Sequence, residues 1–68
     1  MNNGEKQQLR SELDRQQAQN ANLRQILEKM NQLWPEDEKE AVHRLASQVE
    51  ATATILQQSD EMLRRKSE

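Results

Sequence analysis

Few side chains in this sequence are of types that could do chemistry. The 68 residues include no Cys, one Gly and one His, which is His43. A zinc site needs Cys or several His ligands, and a phosphate loop needs glycines. No nucleophile lies in a pattern with a general base. We therefore expect no catalytic residue, no metal ion and no cofactor, and we expect that the protein is not an enzyme.

Two charge clusters flank the second half of the chain. The acidic run 36–40 directly follows Pro35, and the basic run 64–66 lies near the other end. The acidic run lacks the glycine and the spacing of a calcium-binding loop. Carboxylates suit the first turn of a helix and cations its last turn, because of the helix dipole. These runs indicate the two ends of one helix.

His43 and Trp34 are the other two residues that we single out. His43 is predicted to be an ordinary surface histidine, because it falls on the polar side of the helical pattern. Trp34 is the only aromatic residue. We interpret it as a hydrophobic plug at the turn end of the fold, with the alternative that it anchors a partner, since Trp is enriched at interface hot spots.

The elements that would position these residues are two helices. Pro35 and Gly4 are the only residues that strongly break helices. The sequence therefore predicts a flexible N-terminus at 1–4 and one all-α domain at 5–68. Its helices are expected at 5–32 and 35–66, joined by a turn at 33–34.

Apolar residues recur every 3.5 residues in both helices, which is typical of helix–helix packing. We letter the heptad a to g, with Leu13 and Val42 at a. The predicted seam consists of the a and d positions, which are Leu9, Leu13, Gln16, Asn20, Leu23, Leu27, Met30 and Trp34 in the first helix, and Val42, Leu45, Val49, Thr52, Leu56, Ser59 and Leu63 in the second.

Two architectures fit this seam. In an antiparallel, coiled-coil-like hairpin, residues whose numbers add to about 68 or 69 face each other. Leu23 then meets Leu45, Asn20 lies level with Val49, and an Arg10–Asp60 pair flanks the seam. In the alternative, Pro35 kinks one long helix that dimerises in parallel. We favour the hairpin, because a proline inside a helix costs about 3 kcal/mol.

Additional apolar residues at the g positions widen the stripe beyond what one hairpin needs. Four of them are Ile26, Leu33, Ile55 and Met62. A stripe of this width is typical of helices in a bundle, so we expect two hairpins to form a four-helix homodimer. The predicted interface comprises Leu13, Leu23, Ile26, Leu27, Met30, Leu33, Trp34, Val42, Leu45, Val49, Ile55, Leu56, Met62 and Leu63.

The sequence therefore favours a small protein–protein interaction module that serves as an adaptor, an assembly factor or a regulator of a larger protein. Two alternatives stay open: a nucleic-acid-binding helical dimer, and one strand of an obligate hetero-oligomeric coiled coil. The net charge of −2 disfavours nucleic acid as a partner. With no membrane-spanning or signal segment visible, we expect no membrane insertion and a cytoplasmic location.

Overall fold

The chain folds into a helical hairpin in the computed structural model, which describes residues 3–66. Helix α1 spans Asn3–Leu33, and helix α2 spans Lys39–Lys66. The two helices pack against each other along a molecule of 51 × 15 × 12 Å. The predicted all-α hairpin is confirmed, and the long kinked helix is wrong.

The connection between the helices differs from the predicted turn at 33–34. The backbone N–H of Trp34 still donates to the carbonyl of Met30, at 2.8 Å. Pro35 is extended, with φ −60° and ψ 144°, and a 3-10 turn follows at Glu36–Glu38. Helix α2 consequently begins at Lys39, four residues later than predicted, because Pro35 caps the 3-10 turn instead of starting the α-helix.

The beginning of α1 also differs from the prediction. The predicted flexible segment 1–4 lies partly outside the described residues, since the structure describes nothing before Asn3. Asn3 and Gly4 are helical, so α1 begins two residues earlier than expected. At the other end, residues 67 and 68 are outside the described part of the chain.

The core is a single line of apolar residues between the two helices. Leu27, Val42, Val49 and Leu63 are its buried members, and Val42 is only 2 % exposed. All four occupy position a of the heptad. Leu13 and Leu56, also at a, are half-buried between them. The core of the hairpin therefore contains one apolar residue per heptad of α2, whereas in α1 the polar Asn20 interrupts the line between Leu13 and Leu27.

The residues that flank this line in α2 are the e positions, not the predicted d positions. Lys39, Ala46, Ala53 and Asp60 lie at e and are half-buried, whereas the d positions of α2 are exposed. Leu23 and Leu45, which the heptad pattern places in the seam, are both about half exposed, so the seam does not bury them. Packing through a and e brings small side chains between the helices and turns the larger d residues outward.

Leu27→Ala should lower the stability of the folded chain far more than Gln25→Ala. Leu27 is buried in the seam, whereas Gln25 is exposed on the outer side of α1. We expect a loss of about 2 kcal/mol for Leu27→Ala, the low end of the range for buried leucines, because the site is shallow. Urea unfolding at one protein concentration, followed by circular dichroism, measures this difference. Equal midpoints for the two variants would contradict the assignment of the core.

Candidate interaction face

The d and g positions of both helices lie on one side of the hairpin, which we call the open face. Most of them are exposed, whereas Gln16 and Met30 are half-buried. In an antiparallel pair that packs through a and e, the d and g positions of the two helices lie on the same side. A groove lined jointly by Leu9 and Gln16 of α1 and by Ser59 and Met62 of α2 has this arrangement. The large exposed apolar residues of the open face are Leu9, Leu23, Ile26, Leu33, Leu45, Ile55 and Met62.

The apolar residues of the open face are divided into two patches. The turn patch consists of Leu23, Ile26, Leu33 and Leu45, and Ile26 and Leu33 are 54 % and 83 % exposed. The open-end patch lies near the chain ends and consists of Leu9, Ile55 and Met62. Side chains of this size rarely stay in water together on a monomer, and such patches mark interaction sites.

A polar belt separates the two patches. Gln16, Gln19, Gln48 and Thr52 line a shared groove near the middle of both helices. Asn20 lies beneath this belt in the seam, where its Nδ2 donates a hydrogen bond to the carbonyl oxygen of Val49 at 3.2 Å. This contact confirms the predicted level of Asn20, and it supplies a partner for a half-buried amide that would otherwise be costly.

The open-end patch contains a groove between the helices. Its volume is about 410 Å³, and apolar side chains of Leu9, Leu13, Met62 and Leu63 form most of its wall. The opposite side of the hairpin has a smaller groove, of about 180 Å³, which is lined by polar as well as apolar residues such as Arg24, Asn31 and Glu50. The larger and more apolar concavity is thus on the open face.

Ionic contacts between the helices lie on the opposite face, formed by the e and b positions. Arg10 pairs with Asp60, as predicted, and Nε of Arg24 lies 2.7 Å from Oε1 of Glu50. His43 is exposed, as predicted, and its Nε2 contacts Oδ1 of Asn31 at 3.1 Å. The hairpin therefore has one face of paired charges and one face that is largely apolar.

Among these ionic contacts, the carboxylate of Asp60 is bound by arginines of both helices. It accepts hydrogen bonds from Arg10 across the seam and from Nε of Arg64, which lies 2.9 Å from its Oδ2. The pKa of Asp60 is lowered, first because Arg10 donates to the carboxylate and then because Arg64 does. The ionised form of Asp60 therefore ties the N-terminal part of α1 to the C-terminal part of α2.

The first three residues of the acidic run form the turn that joins the two helices. Glu36, Asp37 and Glu38 form the 3-10 turn that precedes α2. Nζ of Lys39 lies 2.9 Å from Oε1 of Glu36, and this hydrogen bond lowers the pKa of Glu36. Trp34, which the sequence suggested as a plug, is 42 % exposed beside this turn.

Sequence reasoning missed two features of this arrangement, namely that the d positions of α2 are turned outward and that Arg24 and Glu50 pair across the seam. The available signal for the first feature is the small residues at e in α2, Ala46 and Ala53, which face large residues of α1 in the predicted hairpin. Three further residues of the predicted interface, Leu13, Met30 and Leu56, lie in the seam or beside it and are half-buried.

No group of three or more His, Cys, Asp or Glu among residues 3–66 is placed to hold a metal ion. Within the same range, neither helix is long and apolar enough to cross a membrane. Comparison of the chain with known protein families, curated proteins and solved structures finds no match.

Asp60→Asn should destabilise the hairpin at neutral pH, with an effect that disappears in acid. Because the pKa of Asp60 in the folded chain is lowered below the ordinary value of 3.8, its ionised form contributes stability above that value. This contribution is lost as the pH falls through the lowered pKa. Thermal unfolding between pH 7 and pH 2 should show the two proteins converging at the acid end.

Glu61→Gln is the matched control for this experiment. Glu61 is the neighbouring carboxylate and lies exposed on the outer side of α2. Its replacement should leave the thermal midpoint nearly unchanged at pH 7, since exposed charges contribute little. If Asp60→Asn behaved like Glu61→Gln across the whole pH range, the role assigned to the pair of Arg10 and Asp60 would be wrong.

Proposed function

We propose that this protein is a non-enzymatic interaction module that self-associates through its open face into a four-helix homodimer. The assembled bundle then serves as an adaptor, an assembly factor or a regulator of a larger protein. The observation that carries the proposal is the row of large apolar side chains exposed on one side of the hairpin, with the paired charges on the other side.

The surface area of the single chain supports this proposal. The chain exposes 5652 Å², about 1,200 Å² more than the roughly 4,450 Å² expected for a globular protein of 8.0 kDa. A stable protein–protein interface covers about 800 Å² on each partner. The excess surface is therefore of the size that one further copy would cover.

The shape of the chain leads to the same conclusion. The radius of gyration is 15.7 Å, whereas a compact chain of 68 residues has a value near 11 Å. Two parallel rods form a layer only one helix thick, and a second layer of the same kind produces a bundle with a closed core. A twofold dimer is the commonest way in which identical chains achieve this.

The ionic contacts favour a protein partner over nucleic acid. Arg10, Arg24 and Arg64 each lie in an ion pair with a carboxylate of the same chain, and Arg15 is paired with Glu12. A nucleic-acid interface requires cations directed at phosphates. These four arginines are engaged within the hairpin instead, which leaves few basic side chains for such a stripe.

Each end of the bundle offers a site for a larger protein. Trp34 remains 42 % exposed next to the acidic turn at Glu36–Glu38. A tryptophan in a polar rim is a common anchor of protein–protein interfaces, because it buries a large area with few rotatable bonds. We propose that Trp34 contacts the larger protein, while the open face serves self-association.

The double variant Ile26→Glu/Ile55→Glu should weaken self-association strongly. The two side chains are 54 % and 60 % exposed in the single chain, so the substitutions remove little of the hairpin core but place charges in the proposed interface. Both copies carry both changes, and we expect the dimer Kd to rise at least about 100-fold. Sedimentation equilibrium at micromolar concentration measures the change.

Ala21→Glu/Ala51→Glu is the matched control for that variant. It adds the same charge at exposed positions of the same two helices, away from the open face. This variant should remain dimeric and as helical as the unmodified protein. A helical unmodified protein that sediments as a monomer would overturn the proposed self-association, and equal weakening by both double variants would overturn the choice of face.

A further inference from the structure

We propose that the two copies pack with their turns at opposite ends, so that the twofold axis crosses the polar belt. This inference rests on the proposed self-association through the open face and specifies its geometry. Two features of the hairpin support it, the groove in the open-end patch and the distribution of charge along α2, and the polar belt indicates where the axis crosses.

Both apolar patches expose large side chains, and Leu33 of the turn patch, at 83 %, is the most exposed of them. The open-end patch contains the groove of about 410 Å³ between Leu9 and Met62. When the turns lie at opposite ends, the turn patch of each copy covers the groove of the other, and both copies bury apolar surface at the same two places.

The polar belt fixes where the axis crosses. Gln16 and Gln19 lie near the middle of α1, and Gln48 and Thr52 lie near the middle of α2. An axis through the belt brings α1 residues whose numbers add to about 37 together, and α2 residues whose numbers add to about 101. The amides of one belt then face the amides of the other and can hydrogen-bond to each other, while Leu45 lies beside Ile55 of the second copy.

The charges at the two ends of α2 are also complementary in this arrangement. Four carboxylates and one lysine occupy residues 36–40, and residues 64–66 are all basic. The carboxylates of Glu36 and Glu40 are almost fully exposed. The same axis places the acidic turn of one copy beside the basic end of α2 in the other copy, so that opposite charges meet at both ends of the bundle.

The alternative arrangement, with both turns at one end, is less favourable on two counts. It would also align the belts, but the two open-end grooves would then face each other, and no side chain of a turn patch would fill them. It would also gather both acidic turns at one end of the bundle, where like charges repel. Shape and charge therefore both select opposite ends.

A charge exchange tests the contact between the acidic turn and the basic end. Glu38→Lys and Arg65→Glu should each raise the dimer Kd several-fold, because each places like charges next to each other at both ends of the bundle. The combined variant should bring the Kd back toward that of the unmodified protein. If the effects of the two changes simply added, these residues would not face each other, and the proposed arrangement would be wrong.

A distance measurement between the two copies decides the arrangement directly. The chain has no cysteine, so Gln32→Cys introduces one spin-label site per copy. Gln32 is exposed near the turn, at a position directed away from the open face and with no charge to lose. Turns at opposite ends predict a label separation above about 40 Å, whereas turns at one end predict a separation below about 30 Å.

The same labelled sample tests the arrangement of the two copies separately from self-association itself. A dimer with a separation below about 30 Å would overturn the opposite-end arrangement and leave self-association intact. A labelled protein that sediments as a helical monomer at the concentration of the distance measurement would overturn both.

Discussion

Two helices packed side by side share one line of contact, and in this chain that line consists of apolar residues at position a, interrupted in α1 by Asn20. Leu27, Val42, Val49 and Leu63 are the buried side chains of this line, and the described part of the chain buries no other apolar side chain. A core of this size in a chain of 68 residues contributes few kcal/mol of net stability. The exposed d and g positions carry seven large apolar side chains, so we expect their burial to contribute much of the stability of the fold.

The division of the surface into two faces follows from how the seam is built. Small residues at e in α2 let the helices approach closely on one side, and the ionic contacts of Arg10 and Arg24 close that side. The larger d residues are thereby turned to the other side, next to the g residues. The orientation of each helix about its own axis thus places the paired charges on one face of the hairpin and the large apolar residues on the other.

The sequence predicts the hairpin and its register well, because both depend on patterns that a single chain must satisfy. The 3.5-residue repeat and the position of Pro35 place the helices, and the level of Asn20 with Val49 follows from the count of residues on either side of the turn. The sequence does not predict in the same way whether the d or the e positions of α2 face α1. With apolar residues at a, d and g, the stripe is wide enough for either flank to face the partner helix, and the choice depends on packing volumes at e that the repeat does not encode.

Association should then be part of folding itself. If the open face is covered by a second copy, the thermal midpoint depends on protein concentration by mass action. Far-UV circular dichroism melts from low micromolar to near millimolar concentration measure this dependence most directly. If folding and self-association are coupled, the thermal midpoint rises steadily with protein concentration. A sharp, cooperative melt whose midpoint stays constant over that range would contradict this coupling.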